Sequence, residues 1–308
     1  MSDVVIAVSP TYTAVAVART LLATSNPRSS WLIDLGDPFS LEQGAAPNNV
    51  RLYGTLNRRF ERSCHRLSDA VAVTTRRTRE RYVAAFPESA SKVAVIGPLL
   101  SVDSNDFADI RHGDGRKMVF LGRLYGSIRR PDFLLALFQR LIARPGNSDL
   151  TLHFYGEIDE CLSSFTSCEA LIGKRIFLHG VVARVTAIRA VTEASVLVNI
   201  GNDTPDQLPS KLIEYTAAGK AILNIAALDD DSSTEFLQGY PRHVTLIGVR
   251  RAPNALDIDI VESLLAHVDE PVEAGVIERC IAPYRLDAIS RAYLDLIESA
   301  IRNRGDER

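Results

Sequence analysis

The chain has 308 residues, 46% of them hydrophobic and 24% charged, the balance of a soluble globular protein with room for two domains of ordinary size. Its net charge of −3 gives no global attraction to nucleic acid, and no apolar run approaches the ~18 residues needed to span a bilayer. With no charged-then-apolar signal segment at its start, and with Cys64, Cys161, Cys168 and Cys280 lacking the spacing of paired metal ligands, the chain reads as cytoplasmic, with reduced thiols.

In chain order, short apolar runs at Val4–Val8, Trp31–Leu35, Ala70–Thr74 and Val93–Ile96 predict strands. Helical stretches at Ala14–Ala23, Leu56–Leu67 and Arg77–Phe86 separate them. Continuous apolar runs, rather than alternating ones, suit parallel strands covered on both faces, and right-handed crossovers then give a doubly wound sheet. The segment Leu100–Lys117 is polar and turn-rich without a period, and reads as a link between domains.

The same rhythm restarts with a strand at Met118–Leu121 and an amphipathic helix at Asp132–Ala143. Further strands are predicted at Leu150–Tyr155, Ile176–His179, Val196–Ile200, Ala221–Ile225 and Val244–Ile247, with helices near 183–194, 210–218 and 255–267. An amphipathic helix over Asp287–Arg302 closes the pattern. The expected fold class is α/β: two Rossmann-like, doubly wound parallel sheets facing across a cleft at the carboxyl ends of their strands. The expected domains are 1–105, 106–285 and a terminal helix at 286–308 that packs back on the first.

The second half carries the informative residues. A strand ends in Leu121-Gly122-Arg123-Leu124 and Arg129-Arg130 follows; another ends in Tyr155-Gly156; then come Phe177-Leu178-His179-Gly180-Val181 and Pro209-Ser210-Lys211-Leu212-Ile213-Glu214-Tyr215, with Ala218-Gly219-Lys220 behind. Ser210 reads as an N-cap after Pro209, and Gly219 as the stop of that helix. Exposed N–H groups at a helix start favour an anion such as a diphosphate, and a bound phosphate would remove the conflict of Lys211 with the positive helix end.

The order of these motifs resembles the donor-binding domain of GT-B fold glycosyltransferases, the family 4 type above all. The resemblance covers roughly residues 1–300, with its specific motifs between 118 and 223. It implies a nucleoside-diphosphate sugar as donor. Glu214 would accept hydrogen bonds from the ribose hydroxyls, and Asp206, eight residues earlier where the family has a glutamate, would face the sugar beside the Gln207 and Leu208 backbone. Arg123 and one of Arg129 and Arg130 would pair with the diphosphate, an Arg standing where the family has a Lys. Gly122, Gly156, Gly180 and Val181 resemble places where backbone passes close to the nucleotide. Arg123, Lys211 and Asp206 are the catalytic candidates, fixed cations standing in for a metal, so neither metal nor cofactor is expected.

The first half departs from the family pattern. About four strands precede the link, against the six or seven such domains show, and the opening strand resembles a mid-domain one, so the domain reads as shortened and a second chain is a candidate to complete the acceptor side. Asp34 and Asp37 end a strand and are weak candidates for acceptor contact or general base, with a turn before Pro38 an equal reading for Asp37. Between Arg51 and Arg81 nine Arg stand against three acids, a local charge of +6. The Arg58–Arg81 region could meet anionic lipid at the inner face of a membrane, be a solvated helix face, or meet nucleic acid, but no aromatic interleaving supports RNA binding and no nucleic-acid partner is expected. Asp229-Asp230-Asp231 resembles a metal-binding Asp-x-Asp but reads better as a helix cap. The reading is a glycosyltransferase of the hexosyltransferase kind, with a saccharide or lipid-linked acceptor, in surface polysaccharide or glycolipid biosynthesis. A non-catalytic or partner-dependent nucleotide-sugar-binding module, and a sugar-nucleotide epimerase of GT-B fold, are the alternatives.

Overall fold

The computed structural model describes residues 4–9, 12–24, 29–41, 49–102, 107, 115–229, 231–248 and 251–306. The link read at residues 100–117 lies outside them at 103–106 and 108–114, and so does the middle residue of the Asp229–Asp231 run. Two compact units result: Met1–Leu99 with Asp206–Leu208 and Pro283–Arg308, and Leu100–Pro205 with Pro209–Ala282.

In the first unit β1 (Val4–Ser9), β2 (Ser30–Leu35), β3 (Ala70–Val73) and β4 (Val93–Val95) form a parallel sheet in that spatial order. Because strand side chains alternate, Trp31, Ile33 and Leu35 of β2 enter one core and Leu32 another. The first core is closed by α1 (Tyr12–Thr24), α2 (Val50–Leu67) and α3 (Arg76–Ala85) through Val15, Ala18, Cys64 and Tyr82. The opposite face is covered by α10 (Leu286–Asp306), whose Ile289, Leu296, Ile297 and Ala300 pack on Leu32, Ala70 and Ala72. This explains why β3, sequence AVAV, is buried at every position.

Helix α2 starts six residues before the expected Leu56. Its cap is Asn49, whose side-chain oxygen accepts from the Arg51 and Leu52 N–H groups, upstream of the apolar periodicity. Its last turns enter a buried polar cluster. Glu61 accepts from the Tyr82 hydroxyl at 2.7 Å and the Ser40 N–H at 3.0 Å, and burial raises its carboxyl above the ordinary range. His65 stacks on Tyr82, ring centroids 4.7 Å apart, with no hydrogen-bond partner at either ring nitrogen. Burial drives its pKa down to about 4.

The second unit is built from β5 (Lys117–Leu121), β6 (Thr151–Tyr155), β7 (Ile176–Gly180), β8 (Val196–Ile200), β9 (Ala221–Ala226) and β10 (His243–Ile247), all parallel, in spatial order β10-β9-β8-β5-β6-β7. The chain runs outward from β5 to β7, then returns to the other side of β5 as β8. The carboxyl ends of β5 and β8 are therefore the topological switch point, where a doubly wound sheet opens a crevice. Helices α4 (Asp132–Ile142), α5 (Arg184–Glu193), α6 (Ser210–Ala217), α7 (Ser232–Leu237), α8 (Ala255–Ala266) and α9 (Ala274–Ile281) complete it, with a 3-10 segment at Asp159–Leu171 whose Cys161, Phe165 and Cys168 all enter the core. Asp231 caps α7, accepting from the Thr234 N–H. Inside the sheet Asn199 and Asn224 satisfy each other at 2.7 Å, and Ser233 completes the pair at 3.0 Å.

His65 sets a pH dependence of stability. Its folded pKa of about 4 lies below the ordinary 6.5, so the unfolded chain binds the extra proton between those values and stability falls as pH drops through that window. Between pH 7 and pH 5, urea denaturation of the wild type should lose about 2 kcal/mol that a His65→Phe variant keeps. Equal losses in the two proteins would place the titrating group elsewhere.

Candidate functional site

The carboxyl ends of β5, β6 and β7 each meet a glycine with positive φ: Gly122 at 149°, Gly156 at 124° and Gly180 at 66°. Their backbones are laced together. The Gly122 N–H donates to the Tyr155 carbonyl at 2.9 Å, and the Gly156 N–H to the Gly180 carbonyl at 2.7 Å. A β-carbon on residue 156 would stand 2.0 Å from the Gly122 carbonyl oxygen, so no side chain fits there. Val181, just beyond, is exposed.

The loop after Gly122 folds back over itself. Arg123 pairs with Glu157 and Glu160, each at 3.2 Å, and lies over the Tyr125 ring at 5.0 Å. Tyr125 and Arg129 exchange backbone hydrogen bonds, and Arg129 approaches the same ring from 5.8 Å. The two adjacent arginines, equivalent in sequence, then part company. Arg130 turns outward to Asp132 at 2.7 Å, whereas Arg129 donates from Nε to Asn202 at 2.9 Å and from Nη1 to the Arg123 carbonyl at 3.3 Å. Asn202 follows β8, and the Asp203 N–H donates to the Ile128 carbonyl at 2.9 Å, so these bonds cross the switch point. No carboxylate pairs with Arg129 among the described residues; burial lowers its pKa, which for a guanidinium leaves the charge in place at neutral pH. A partly buried cation without a counter-charge is costly to hold, and here neutral groups orient it without cancelling it.

Helix α6 supplies a second set. The structure corrects the expected cap: Pro209 is the N-cap, without a side-chain hydrogen bond, and Ser210 is the first helical residue. A proline cap has no side-chain acceptor for the first-turn N–H groups; the Leu212 N–H donates to the Pro209 carbonyl at 3.0 Å, and those of Ser210 and Lys211 are left without a side-chain cap. Lys211 reaches along the helix to Glu214 at 2.8 Å, while the other Glu214 oxygen accepts from the Ser101 hydroxyl, also at 2.8 Å. Tyr215, buried behind them, accepts from the Leu121 N–H at 3.1 Å and ties α6 to the end of β5. Gly219, φ 66°, ends the helix.

Asp206, Gln207 and Leu208 belong to the first unit. The Asp206 carboxylate is buried and ion-paired with Arg81, and its backbone carbonyl accepts from Thr75 Oγ1 at 2.7 Å and Thr78 Oγ1 at 3.3 Å, at the start of α3. Gln207 donates to Asp37 at 2.5 Å. Asp34 accepts from the Tyr293 hydroxyl at 2.9 Å, and burial raises its pKa. The basic span divides. Arg58 and Arg59 are exposed on α2 and Arg62 pairs with Glu88, but Arg79 donates to the Val93 carbonyl and Arg81 is turned to Asp206.

Ser101, Asn202 and Tyr125 were not singled out from sequence. Asn202, a polar residue directly after the switch strand, was the one with a readable signal. A cleft of about 560 Å³ lies at the opposite, amino end of β10, lined by Arg242, His243, His267 and Glu273, and shares no residue with these groups. No helix among the described residues is long and apolar enough to cross a membrane.

No protein-family model matches the chain, and no curated protein matches it. Solved structures do. A glycosyltransferase from Rickettsia africae ESF-5 matches with a TM-score of 0.69 at 12% identity, covering 98% of this chain and 77% of that one. HepE from Anabaena, in complex with UDP, gives 0.70 at 13% over 96% and 79%. The sucrose-phosphate synthase of Thermosynechococcus elongatus gives 0.66 at 14% over 96% and 73%. The fold is that of the GT-B glycosyltransferases. At such identities the likeness concerns fold alone.

The glycine lacing is testable. Gly156→Ala should cost about 3 kcal/mol or more in urea denaturation, combining a disfavoured φ with the collision at Gly122. Gly146→Ala, also at positive φ but facing open space, should cost only about 1 kcal/mol. Equal costs would mean that the close approach constrains nothing.

Proposed function

We propose that this chain is a nucleotide-sugar-dependent glycosyltransferase. The observation that carries the reading is Arg129, a cation without a carboxylate partner, fixed at the switch point of a doubly wound sheet. In this reading the donor diphosphate takes the missing counter-charge, between Arg129, the first-turn N–H groups of α6 and the Lys211 ammonium. Lys211 exchanges its Glu214 partner for phosphate, and Glu214 is then open to accept from the ribose hydroxyls. Arg123, held by Glu157 and Glu160, adds positive field rather than a fixed contact. Gly122, Gly156 and Gly180 keep the floor bare enough for the nucleotide to lie against backbone.

The chemistry follows from where charge grows. As the bond from the anomeric carbon to the β-phosphate oxygen breaks, negative charge builds on the phosphate while the sugar becomes oxocarbenium-like. Fixed cations and helix dipoles aimed at the phosphate lower that barrier without reorganising, the role a metal plays in other transferases. An acceptor hydroxyl then bonds the anomeric carbon and gives up its proton. Asp34 and Asp37 are the carboxylates assigned to the acceptor side, and burial raises the Asp34 carboxyl above its ordinary value against the opposing hydrogen bond from Tyr293. HepE was solved with UDP, which makes uridine diphosphate the first nucleotide to try. Asp206 is the carboxylate assigned to the donor sugar. Its pairing with Arg81 favours a second reading, a module that binds the donor without turning it over.

A thermal-shift panel of UDP, GDP, ADP and TDP and their glucose conjugates tests the site. At least one should stabilise the wild type by mass action. Arg129→Ala and Lys211→Ala should each weaken that ligand tenfold or more, the cost of losing a charge-assisted contact, while Arg130→Ala should bind like the wild type. Binding that is indifferent to Arg129→Ala would remove the assignment. Measured release of free sugar or transfer to glycolipid separates the enzyme from the binding module.

The acceptor class rests on α2. Its first turns expose Leu52, Tyr53 and Leu56 beside exposed Arg51, Arg58 and Arg59, an apolar wedge flanked by cations. We assign this face to an anionic membrane surface, and with it a lipid-linked acceptor of surface polysaccharide or glycolipid synthesis. Co-sedimentation with phosphatidylglycerol vesicles should be lost in Leu52→Asp and in the Arg58→Glu, Arg59→Glu double variant, and should fall with salt as surface charge is screened. Equal pelleting with uncharged vesicles would refute the electrostatic half of the assignment.

A further inference from the structure

Glu214 is 6% exposed, and its two oxygens have partners of different kinds. Oε1 accepts from the Ser101 hydroxyl at 2.8 Å, and Oε2 from the Lys211 ammonium at 2.8 Å. The Lys211 side chain is 43% exposed and sits one turn back on the same helix. Such an ion pair exchanges readily with water or with an incoming anion. Ser101 comes from 113 residues earlier in the chain and brings a neutral hydroxyl with a single proton, which Glu214 accepts.

The serine is itself held. Leu100 and Val102 on either side of it are buried, which anchors the backbone through residue 101 while Ser101 stays exposed. The Arg184 guanidinium, from the first residue of α5, donates to the Ser101 carbonyl. Arg184 follows the end of β7, where Gly180 turns the chain at a φ of 66°. One serine therefore joins the start of α5 to α6, by its carbonyl on one side and its hydroxyl on the other. All of these residues belong to the second unit.

We propose that Ser101 is a positioning residue that sets the Glu214 carboxylate for a cis-diol, and so makes the site select a ribonucleotide over its 2′-deoxy counterpart. This rests on the reading of Glu214 as the ribose acceptor. In that reading Lys211 turns to phosphate when the donor arrives, and its hold on Oε2 ends. The Ser101 bond is then what keeps the carboxylate oriented. An ionised carboxylate has about four acceptor positions, two on each oxygen, and Ser101 fills one of them. The rest suffice for both hydroxyls of a ribose, so the serine orients Glu214 without competing for it. A deoxyribose forgoes one hydrogen bond to a charged, nearly buried acceptor. An unheld carboxylate would lose rotamer freedom on gripping the diol, and that loss offsets the second bond.

Isothermal titration of the whole chain with UDP, GDP and ADP, each beside its 2′-deoxy counterpart, tests the assignment. The wild type should hold at least one ribonucleotide about tenfold or more tighter than the deoxy form. Ser101→Ala should bring that ratio to about threefold or below, by weakening the ribonucleotide and leaving the deoxynucleotide nearly as it was. Ser101→Thr, which keeps the hydroxyl, should keep the ratio, and Glu214→Ala should abolish it. A serine that only packs the link would, on replacement by alanine, weaken both nucleotides alike, and that result overturns the proposal. So does tighter ribonucleotide binding by Ser101→Ala, since Ser101 would then be occupying the place of a ribose hydroxyl. If Glu214→Ala loses the preference and Ser101→Ala keeps it, Glu214 meets the ribose unaided: the proposal falls and the donor reading stands. If Glu214→Ala keeps the preference, or no nucleotide binds the wild type, the ribose is not at Glu214 and both fall.

Discussion

The Gly122 carbonyl occupies the space that a β-carbon on residue 156 would need, and much of the second unit is arranged around that contact. Two neighbouring strand ends can approach so closely only because both residues are glycines in conformations that L side chains avoid. With the ends drawn together, the chain leaving β5 has to turn back on itself. That return places Tyr125 between two guanidiniums and lays Arg129 against the loop that leaves β8. A steric condition at one carbonyl thereby becomes an electrostatic one a loop away, a positive charge held where no carboxylate among the described residues answers it.

The contrast between Arg129 and the neighbouring charges is instructive. Arg123, Arg130 and Lys211 all have carboxylate partners, at 2.7 to 3.2 Å, and such partly exposed pairs exchange readily with an incoming anion or with water. Arg129 is fastened by a carboxamide and a carbonyl, neutral groups that orient it without cancelling it. Glu214 is the mirror case. It is nearly buried and accepts on both oxygens, from Ser101 and from the more exposed Lys211, and the Ser101 bond orients it independently of that exchangeable ion pair. Preorganised charge of this kind avoids reorganising when a ligand's charge develops.

Much of the fold could be read from the chain because parallel strands buried on both faces leave unbroken apolar runs, as in Val196–Ile200 and Ala221–Ile225. Punctuation was legible for the same reason: Gly219 stops a helix and Asp231 caps one through chemistry that acts locally. What escaped depends on direction rather than on composition. Nothing in Arg129-Arg130 says which side chain turns inward; that is decided by Asp132 on one side and by Asn202, seventy-odd residues away, on the other. The cap of α6 fell to Pro209 instead of Ser210 because a serine is a good cap only if the chain is still extended at that residue. Ser101 lay in a segment without periodicity, and α9, eight residues long, was too short to show one.

Helix α10 closes the second face of the first sheet, over Leu32, Ala70, Ala72 and Ile96, although it is the last element of the chain. During synthesis that apolar face stays bare from the time β4 emerges until some two hundred residues later, on the order of 10–40 s at ordinary elongation rates. The whole second unit can fold in that interval, since its residues are nearly contiguous. The order of assembly thus runs against the order of the sequence, and the nascent first unit is a natural client for a chaperone. A ribosome that stalls before Leu286 leaves behind not a smaller protein but a sheet with one side unroofed.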